Sequence, residues 1–137
     1  MTTVLFACVH NAGRSQMAAA WFNAIADVQK ARAISAGTRP ADQVHPEVVA
    51  AMREIGIDLM DARPALLTFE LGHTAQMLVT MGCGEECPVV PGVERVDWEI
   101  DDPKNQPASL VREIRDEVRR RVTALVGSRG WTREVTS

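Results

Sequence analysis

The sequence has no tyrosine and only three cysteines among its 137 residues. It also lacks internal repeats, low-complexity linkers and any apolar run of membrane-spanning length, since Arg14 soon interrupts the N-terminal apolar run. Without an export signal, three cysteines are better explained as reactive or metal-binding thiols than as a disulfide framework. These absences predict a soluble, cytoplasmic protein with no membrane partner.

The composition is that of one globular unit. Hydrophobic residues make up 46% of the chain, which predicts a single domain over residues 1–137. The formal net charge of -3 argues against nucleic acid as a partner.

Apolar strand-like runs alternate with helical runs, a pattern typical of an α/β fold in which helices cover both faces of a parallel sheet. Strands are predicted over residues 3–8, 31–36, 76–81 and 95–98, and helices over residues 15–27, 45–55 and 107–126. Short helical pieces are expected within residues 58–72.

The most informative stretch starts at Cys8, which directly follows the first predicted strand and stands six positions before Arg14. A short loop that closes onto a helix can point successive backbone N–H groups at one anion, which the helix dipole also favours. Arg14 adds a planar, charged fork that suits a tetrahedral oxyanion, and the same potential favours a Cys8 thiolate. A small buried cysteine is the ordinary alternative. The predicted binding loop consists of Val9, His10, Asn11, Ala12, Gly13, Arg14 and Ser15.

The other two cysteines, Cys83 and Cys87, follow the third predicted strand and are separated by three residues. Gly82 and Gly84 flank Cys83 and give this segment backbone freedom. The pattern favours a redox pair over a zinc half-site, because the three histidines of the chain have no zinc-ligand spacing to it. Two incidental loop thiols are the remaining alternative.

An acidic pair, Asp101 and Asp102, precedes Pro103 and follows the fourth predicted strand. Loops that follow parallel strands meet at one edge of the sheet, so this pair is expected near Cys8. A carboxyl group there can protonate a leaving oxygen. Asp102 is predicted to be this general acid, while Asp101 in the same role and an acidic turn without catalytic function stay open.

Three segments, in this order and at these spacings, resemble the arsenate reductases of the low-molecular-weight tyrosine phosphatase fold: residues 8–18, residues 35–37 and residues 98–103. The resemblance covers residues 3–126. It implies a four-stranded parallel sheet flanked by helices, arsenate as the substrate, phosphate or sulfate as mimics, and a monomer.

The resemblance also implies roles for the site residues. Cys8 attacks arsenic, Arg14 and the loop amides hold the oxygens, and Asp102 protonates the departing hydroxide. Cys83 then attacks the Cys8 sulfur, which releases arsenite and leaves a Cys8–Cys83 disulfide. Cys87 next attacks Cys83 and presents a Cys83–Cys87 disulfide to an external reductant such as thioredoxin. No bound cofactor is implied.

Two departures from the family pattern affect these expectations. Cys83 and Cys87 are closer together than the resolving cysteines of the thioredoxin-linked members, and a related branch uses Cys8 alone with mycothiol and mycoredoxin. The presence of both extra thiols favours the intramolecular relay. Ala19 stands where some members have a glutamate that helps to bind potassium, so no metal site is predicted.

Two other functions stay open. A low-molecular-weight protein tyrosine phosphatase needs only Cys8, Arg14 and Asp102, but such enzymes generally have aromatic pocket walls and a second cysteine at the position of Gly13. The missing tyrosine and Gly13 favour the reductase. A non-catalytic oxyanion sensor or redox switch is the remaining alternative, and steady arsenite production separates it from an enzyme.

Overall fold

The computed structural model describes residues 1–82 and 89–133. Strands and helices alternate along this part of the chain. The strands are β1 (Thr2–Cys8), β2 (Ala31–Gly37), β3 (Met77–Thr80) and β4 (Glu94–Asp97), and the helices are α1 (Arg14–Ile25), α2 (Pro46–Arg53), α3 (Phe69–His73) and α4 (Ala108–Ser128).

The four strands form one parallel sheet in the order β2-β1-β3-β4. β1 lies inside the sheet, and residues 4–7 are completely buried. A strand that is covered on both faces is expected to be a continuous apolar run, which is how Val4-Leu5-Phe6-Ala7 reads. The predicted four-stranded parallel fold is therefore confirmed. β2 lies on one side of β1 and β3 on the other, so the strand order reverses at β1. Sheets of this kind bind ligands at the carboxyl end of the strands beside such a switch point.

Alternate residues of β1 enter two separate apolar clusters. Phe6 and Cys8 belong to the larger cluster, which includes residues of α1, α2 and α4. The Phe6 ring lies 5.9 Å from the Phe22 ring and 5.7 Å from the Trp98 ring, centroid to centroid. Leu5 belongs to the smaller cluster, which the segment around α3 covers. Both faces of the sheet are thus packed, and β1 is held in place from each side.

Most predicted elements appear with boundaries that differ by one or two residues. α1 ends at Ile25, two residues before the predicted end, because the next residues pair with the C-terminal segment: Ala26 bridges Thr132, and the Asp27 amide donates to the Trp131 carbonyl at 2.8 Å. Within residues 58–72, where short helical pieces are expected, the structure has one such piece, residues 69–72 of α3. Within the described residues, no helix is long and apolar enough to cross a membrane.

Charged side chains join α2 to α4. Arg115 is buried and donates to the Ala51 carbonyl at 2.8 Å and to Glu54 at 3.0 Å, and Arg112 also donates to Glu54, at 2.7 Å. The hydrogen bonds from Arg112 lower the pKa of Glu54 to about 2. The buried Arg115 holds α2 against α4, and Arg112 adds an exposed ion pair. The N-terminal end of α2 lies against the loop that follows Cys8, where the His45 amide donates to the Ala12 carbonyl.

Candidate active site

Cys8 is the last residue of β1 and is only 2% exposed. Its Sγ lies 2.8 Å from Ser15 Oγ, and Asn11 Nδ2 donates to the same hydroxyl oxygen at 2.7 Å. Because Asn11 already donates to Ser15 Oγ, the hydroxyl hydrogen of Ser15 is available to the Cys8 sulfur. The Ser15 hydroxyl is therefore placed to donate a hydrogen bond to the Cys8 sulfur, the predicted nucleophile.

The carbonyl oxygens of the loop after Cys8 are held by the segment that follows β2. The carbonyls of Cys8, Val9, His10 and Ala12 accept hydrogen bonds of 2.8–3.3 Å from the amides of Thr38, Arg39, Ala41 and His45, in that order. Within the described parts of the chain, the amides of residues 9–13 donate to no backbone carbonyl. Backbone amides without carbonyl partners can serve as donors to an anion. Oxyanion binding by this loop stays a prediction.

The backbone of the loop is held in an unusual conformation at Asn11, whose φ is +49°. Gln16 Nε2 donates to the Asn11 carbonyl at 3.0 Å, and Asn11 Oδ1 accepts from the Ala65 amide at 2.9 Å. Gly37 allows the loop to lie on β2, since a Cβ there would be 2.6 Å from the Val9 carbonyl oxygen. The sequence did not identify Gln16 and Ala65 as residues that hold the loop. Gln16 is a polar residue on the buried face of α1, and this position was the signal that could have identified it.

The structure brings Arg14 and Asp102 together. Arg14 begins α1; its Nη1 donates to the Ile100 carbonyl at 3.1 Å, and its Nη2 lies 3.8 Å from Asp102 Oδ2. The other Asp102 oxygen accepts from the Lys104 amide at 3.0 Å, while the side chain stays 46% exposed. Asp101 lines two surface depressions, one beside α4 and one that also includes Gly82, and makes no ion pair with Arg14 among the described residues. Of the two neighbouring aspartates, Asp102 is the one in contact with the oxyanion loop.

Pro103 and His45 lie against Gly13. A Cβ at Gly13 would be 2.9 Å from Pro103 Cγ and 3.5 Å from His45 Cδ2, so the absence of a side chain lets the acidic loop approach the oxyanion loop. Burial lowers the pKa of His45, whose amide also donates to the Ala12 carbonyl at 2.9 Å. The sequence identified His45 only as the start of a helix, because nothing local in it reports this contact.

Cys83 and Cys87 lie outside the described residues, as does Gly84. Their role as a redox pair therefore stays a prediction. The described chain reaches Gly82, and the Met81 amide just before it donates to the Ala7 carbonyl at 2.7 Å. The described chain before Cys83 thus ends beside the end of β1. Among the described residues, no group of three or more histidine, cysteine or carboxylate side chains is placed to hold a metal ion.

Replacing Ser15 with alanine tests the contact at the sulfur. Because the variant loses the donor 2.8 Å from Cys8 Sγ, we expect iodoacetamide to alkylate Cys8 about tenfold more slowly at pH 7. The rate is measured by mass spectrometry of the peptide that contains Cys8. Ser128→Ala is the matched control, because the Ser128 hydroxyl donates only to the Leu125 carbonyl in α4. Equal alkylation rates in both variants contradict the assignment.

The parallel sheet, the buried cysteine at its switch point and the arginine at the start of α1 define a class of protein. Residues 3–135 match the family model described as low molecular weight phosphotyrosine protein phosphatase, and the chain belongs to this family. A putative arsenate reductase of Halobacterium salinarum is 38% identical over 128 residues, which cover 88% of this chain and 87% of that protein. Arsenate reductase 1 of Bacillus cereus is 36% identical over 124 residues, with coverages of 88% and 90%.

Solved structures agree with this membership. A thioredoxin-dependent arsenate reductase of Corynebacterium glutamicum superposes with a TM-score of 0.81 at 38% identity, over 93% of this chain and 61% of that chain, so the present chain spans about three fifths of it. An arsenate reductase in a phosphate-binding state gives a TM-score of 0.78 at 27% identity, over 93% of this chain and 98% of that chain. The resemblance seen in the sequence is confirmed.

Proposed function

We propose that this protein is an arsenate reductase, which converts arsenate to arsenite with electrons supplied by thiols. The observation that carries the proposal is the buried Cys8 sulfur, which lies 2.8 Å from the Ser15 hydroxyl and is followed by a loop whose amides donate to no backbone carbonyl of the described residues. A thiolate beside an anion site is what attack on a tetrahedral oxyanion requires. The names of the relatives supply the substrate, because both curated relatives reported above are called arsenate reductases.

The first chemical step joins sulfur to arsenic. The Cys8 thiolate attacks the arsenic atom, an As–S bond forms, and one arsenate oxygen leaves as water after Asp102 has donated a proton to it. Arg14 and the amides of residues 9–15 hold the remaining oxygens and stabilise their charge. The 3.8 Å separation of the Arg14 and Asp102 side chains supports this division of roles, since acid and clamp then face the same oxyanion.

The second step moves two electrons to arsenic. The Cys83 thiolate attacks Cys8 Sγ, a disulfide forms, and the electron pair of the As–S bond stays on arsenic, which leaves as arsenite. Cys87 then attacks Cys83, frees Cys8 and leaves a Cys83–Cys87 disulfide. An external dithiol such as thioredoxin reduces it, in line with the thioredoxin-dependent relative of Corynebacterium glutamicum. Mycothiol with mycoredoxin, acting through Cys8 alone, is the alternative donor.

The general acid is tested with Asp102→Asn. An amide cannot donate the proton that turns the leaving oxygen into water, so we expect single-turnover arsenite formation to slow by about 10²–10⁴-fold at pH 7. Rapid-quench assays measure this rate. Asp101→Asn is the matched control, because it removes the same charge one residue away. If Asp101→Asn is the slower variant, the two residues exchange roles.

The relay is tested with Cys83→Ser and Cys87→Ser. Each thiolate must attack the sulfur left by the preceding step, so the loss of a later thiol preserves the earlier intermediate. We expect Cys83→Ser to stop at the arseno-adduct, and Cys87→Ser to release one equivalent of arsenite and retain a Cys8–Cys83 disulfide. Peptide mapping of quenched samples identifies both species. Full multiple turnover of both variants with mycothiol and mycoredoxin makes the relay dispensable and supports the external-thiol mechanism.

A protein tyrosine phosphatase is the second candidate, because the matching family model is that of phosphotyrosine protein phosphatases. Cys8, Arg14 and Asp102 also suffice for that reaction. One feature argues against it: the chain has no tyrosine to contact a phenyl ring. Hydrolysis of p-nitrophenyl phosphate, compared with arsenite release by the same sample, decides between the two activities.

A further inference from the structure

Gly82 lies so close to the Arg14 guanidinium that no side chain fits between them. A Cβ at Gly82 would be 2.3 Å from Nη1, 3.0 Å from Cζ and 3.3 Å from Nη2 of Arg14. Ordinary van der Waals contacts of such a Cβ begin at 3.4 Å, so the guanidinium has to move by about 1 Å to admit even a methyl group. The α-carbon of Gly82, which carries no side chain, therefore bounds the space that the Arg14 guanidinium occupies.

The position of Gly82 is set by the sheet. Thr80 pairs with Ala7 of β1, and the Met81 amide donates to the Ala7 carbonyl at 2.7 Å, so the chain is anchored up to the residue before Gly82. Gly82 itself has a φ of +92°, a conformation that side chains rarely adopt. The sequence suggested that Gly82 lends mobility to the Cys83 segment. In the structure, this glycine also lies against the Arg14 guanidinium.

The Arg14 side chain is enclosed on three sides and is only 12% exposed. The Ile100 carbonyl accepts from Nη1, Asp102 lies beside Nη2, and Gly82 covers the guanidinium from the end of β3. An arginine clamps a tetrahedral oxyanion through two parallel N–H donors, so its affinity depends on where the planar fork is held.

We propose that Gly82 is a positioning residue of the oxyanion site, whose missing side chain allows Arg14 to align with the loop amides. The proposal rests on the proposed function and deepens it, since Gly82 immediately precedes Cys83 in the chain. The residue that begins the segment of the second cysteine is thereby also part of the arsenate clamp. Any side chain at position 82 weakens oxyanion binding while leaving all three thiols in place.

The test compares Gly82→Ala with Gly92→Ala. Gly92 also has a positive φ, +80°, but a Cβ there meets nothing within 4 Å, so this control carries similar backbone strain without displacing a neighbour. The probe is inorganic phosphate, which protects Cys8 from iodoacetamide. We expect the phosphate concentration for half-protection to rise about 10–100-fold in Gly82→Ala and to match the wild type in Gly92→Ala, because a shift of about 1 Å in a clamp has effects of this size.

The outcomes are separable from those of the proposed function, because phosphate protection does not require arsenate turnover. Equal half-protection by Gly82→Ala and Gly92→Ala overturns the proposal, even if both melt at lower temperature than the wild type. Absence of phosphate protection in the wild type also overturns it, since the oxyanion site is then missing. In steady-state assays, the KM for arsenate is expected to rise with the half-protection concentration, whereas a merely structural effect lowers the active fraction and kcat alone.

A second measurement applies if Gly82→Ala does not fold. The wild-type protein is labelled with ¹⁵N-glycine and titrated with phosphate. If Gly82 holds Arg14, its amide resonance moves with the same midpoint as that of Gly13 in the loop, while the Gly92 resonance stays in place. A Gly82 resonance that stays fixed while that of Gly13 moves overturns the proposal.

Discussion

Replacing Cys8 with serine is expected to abolish arsenate reduction. The hydroxyl of serine is a far weaker nucleophile at neutral pH than a thiolate, and it can neither form the arseno-thiol bond nor enter the disulfide that carries the two electrons. The substitution is nearly isosteric at a site only 2% exposed, so the fold is expected to persist. Arsenite formed from arsenate in the presence of thioredoxin, thioredoxin reductase and NADPH is the measurement.

Phosphate binding supplies the control for this variant. Calorimetry is expected to show that Cys8→Ser still binds phosphate, because the loop amides and Arg14 remain. Loss of turnover with binding retained assigns the nucleophile to Cys8. Wild-type turnover in the Cys8→Ser enzyme would falsify the mechanism as a whole.

Replacing Arg14 with alanine is expected to lower kcat/KM for arsenate by about 10³–10⁵-fold, the range over which an arginine stabilises the transferred oxyanion in related phosphoryl chemistry. The variant removes the guanidinium that contacts the Ile100 carbonyl and Asp102. Lysine in place of Arg14 is expected to recover little of the loss, because a point charge cannot replace a planar fork.

Arg112→Ala is the matched control for this variant. Arg112 pairs with Glu54 on the outer surface of the α2 and α4 helices and makes no contact with the oxyanion loop. Its loss is expected to leave kcat/KM for arsenate within a factor of about two, since surface ion pairs contribute little. Equal losses of activity in Arg14→Ala and Arg112→Ala contradict a specific role for Arg14.

The features that were predicted correctly depend on local signals. β1 is recognised because four successive apolar residues are needed where both faces of a strand are buried. The strand and helix on either side of the loop from Cys8 to Arg14 are found where predicted, because their signals follow one another within a short stretch, whereas oxyanion binding by this loop stays a prediction. Topology then places the loops after β1 and β4 at one edge, which brings Asp102 to Arg14 without any knowledge of side-chain contacts.

The features that the sequence does not reveal depend on contacts between distant segments. Asn11 is held by the Ala65 amide, 54 positions later, and no local pattern reports that bond. The choice between Asp101 and Asp102 depends on which carboxylate the turn before Pro103 points at the loop. Gly82 shows the limit most clearly: a glycine beside a cysteine indicates backbone freedom in the sequence, but in the structure its missing side chain makes space for Arg14.

The measurement that tests the central claim most directly is steady-state release of arsenite from arsenate by the wild-type chain. Parallel samples contain thioredoxin with its reductase and NADPH, or mycothiol with mycoredoxin, and a third contains p-nitrophenyl phosphate without thiols. The account predicts many equivalents of arsenite per Cys8 with thioredoxin and little hydrolysis of the phosphate ester. No arsenite from either thiol system, together with rapid hydrolysis of p-nitrophenyl phosphate, contradicts the account and assigns the site to a phosphatase.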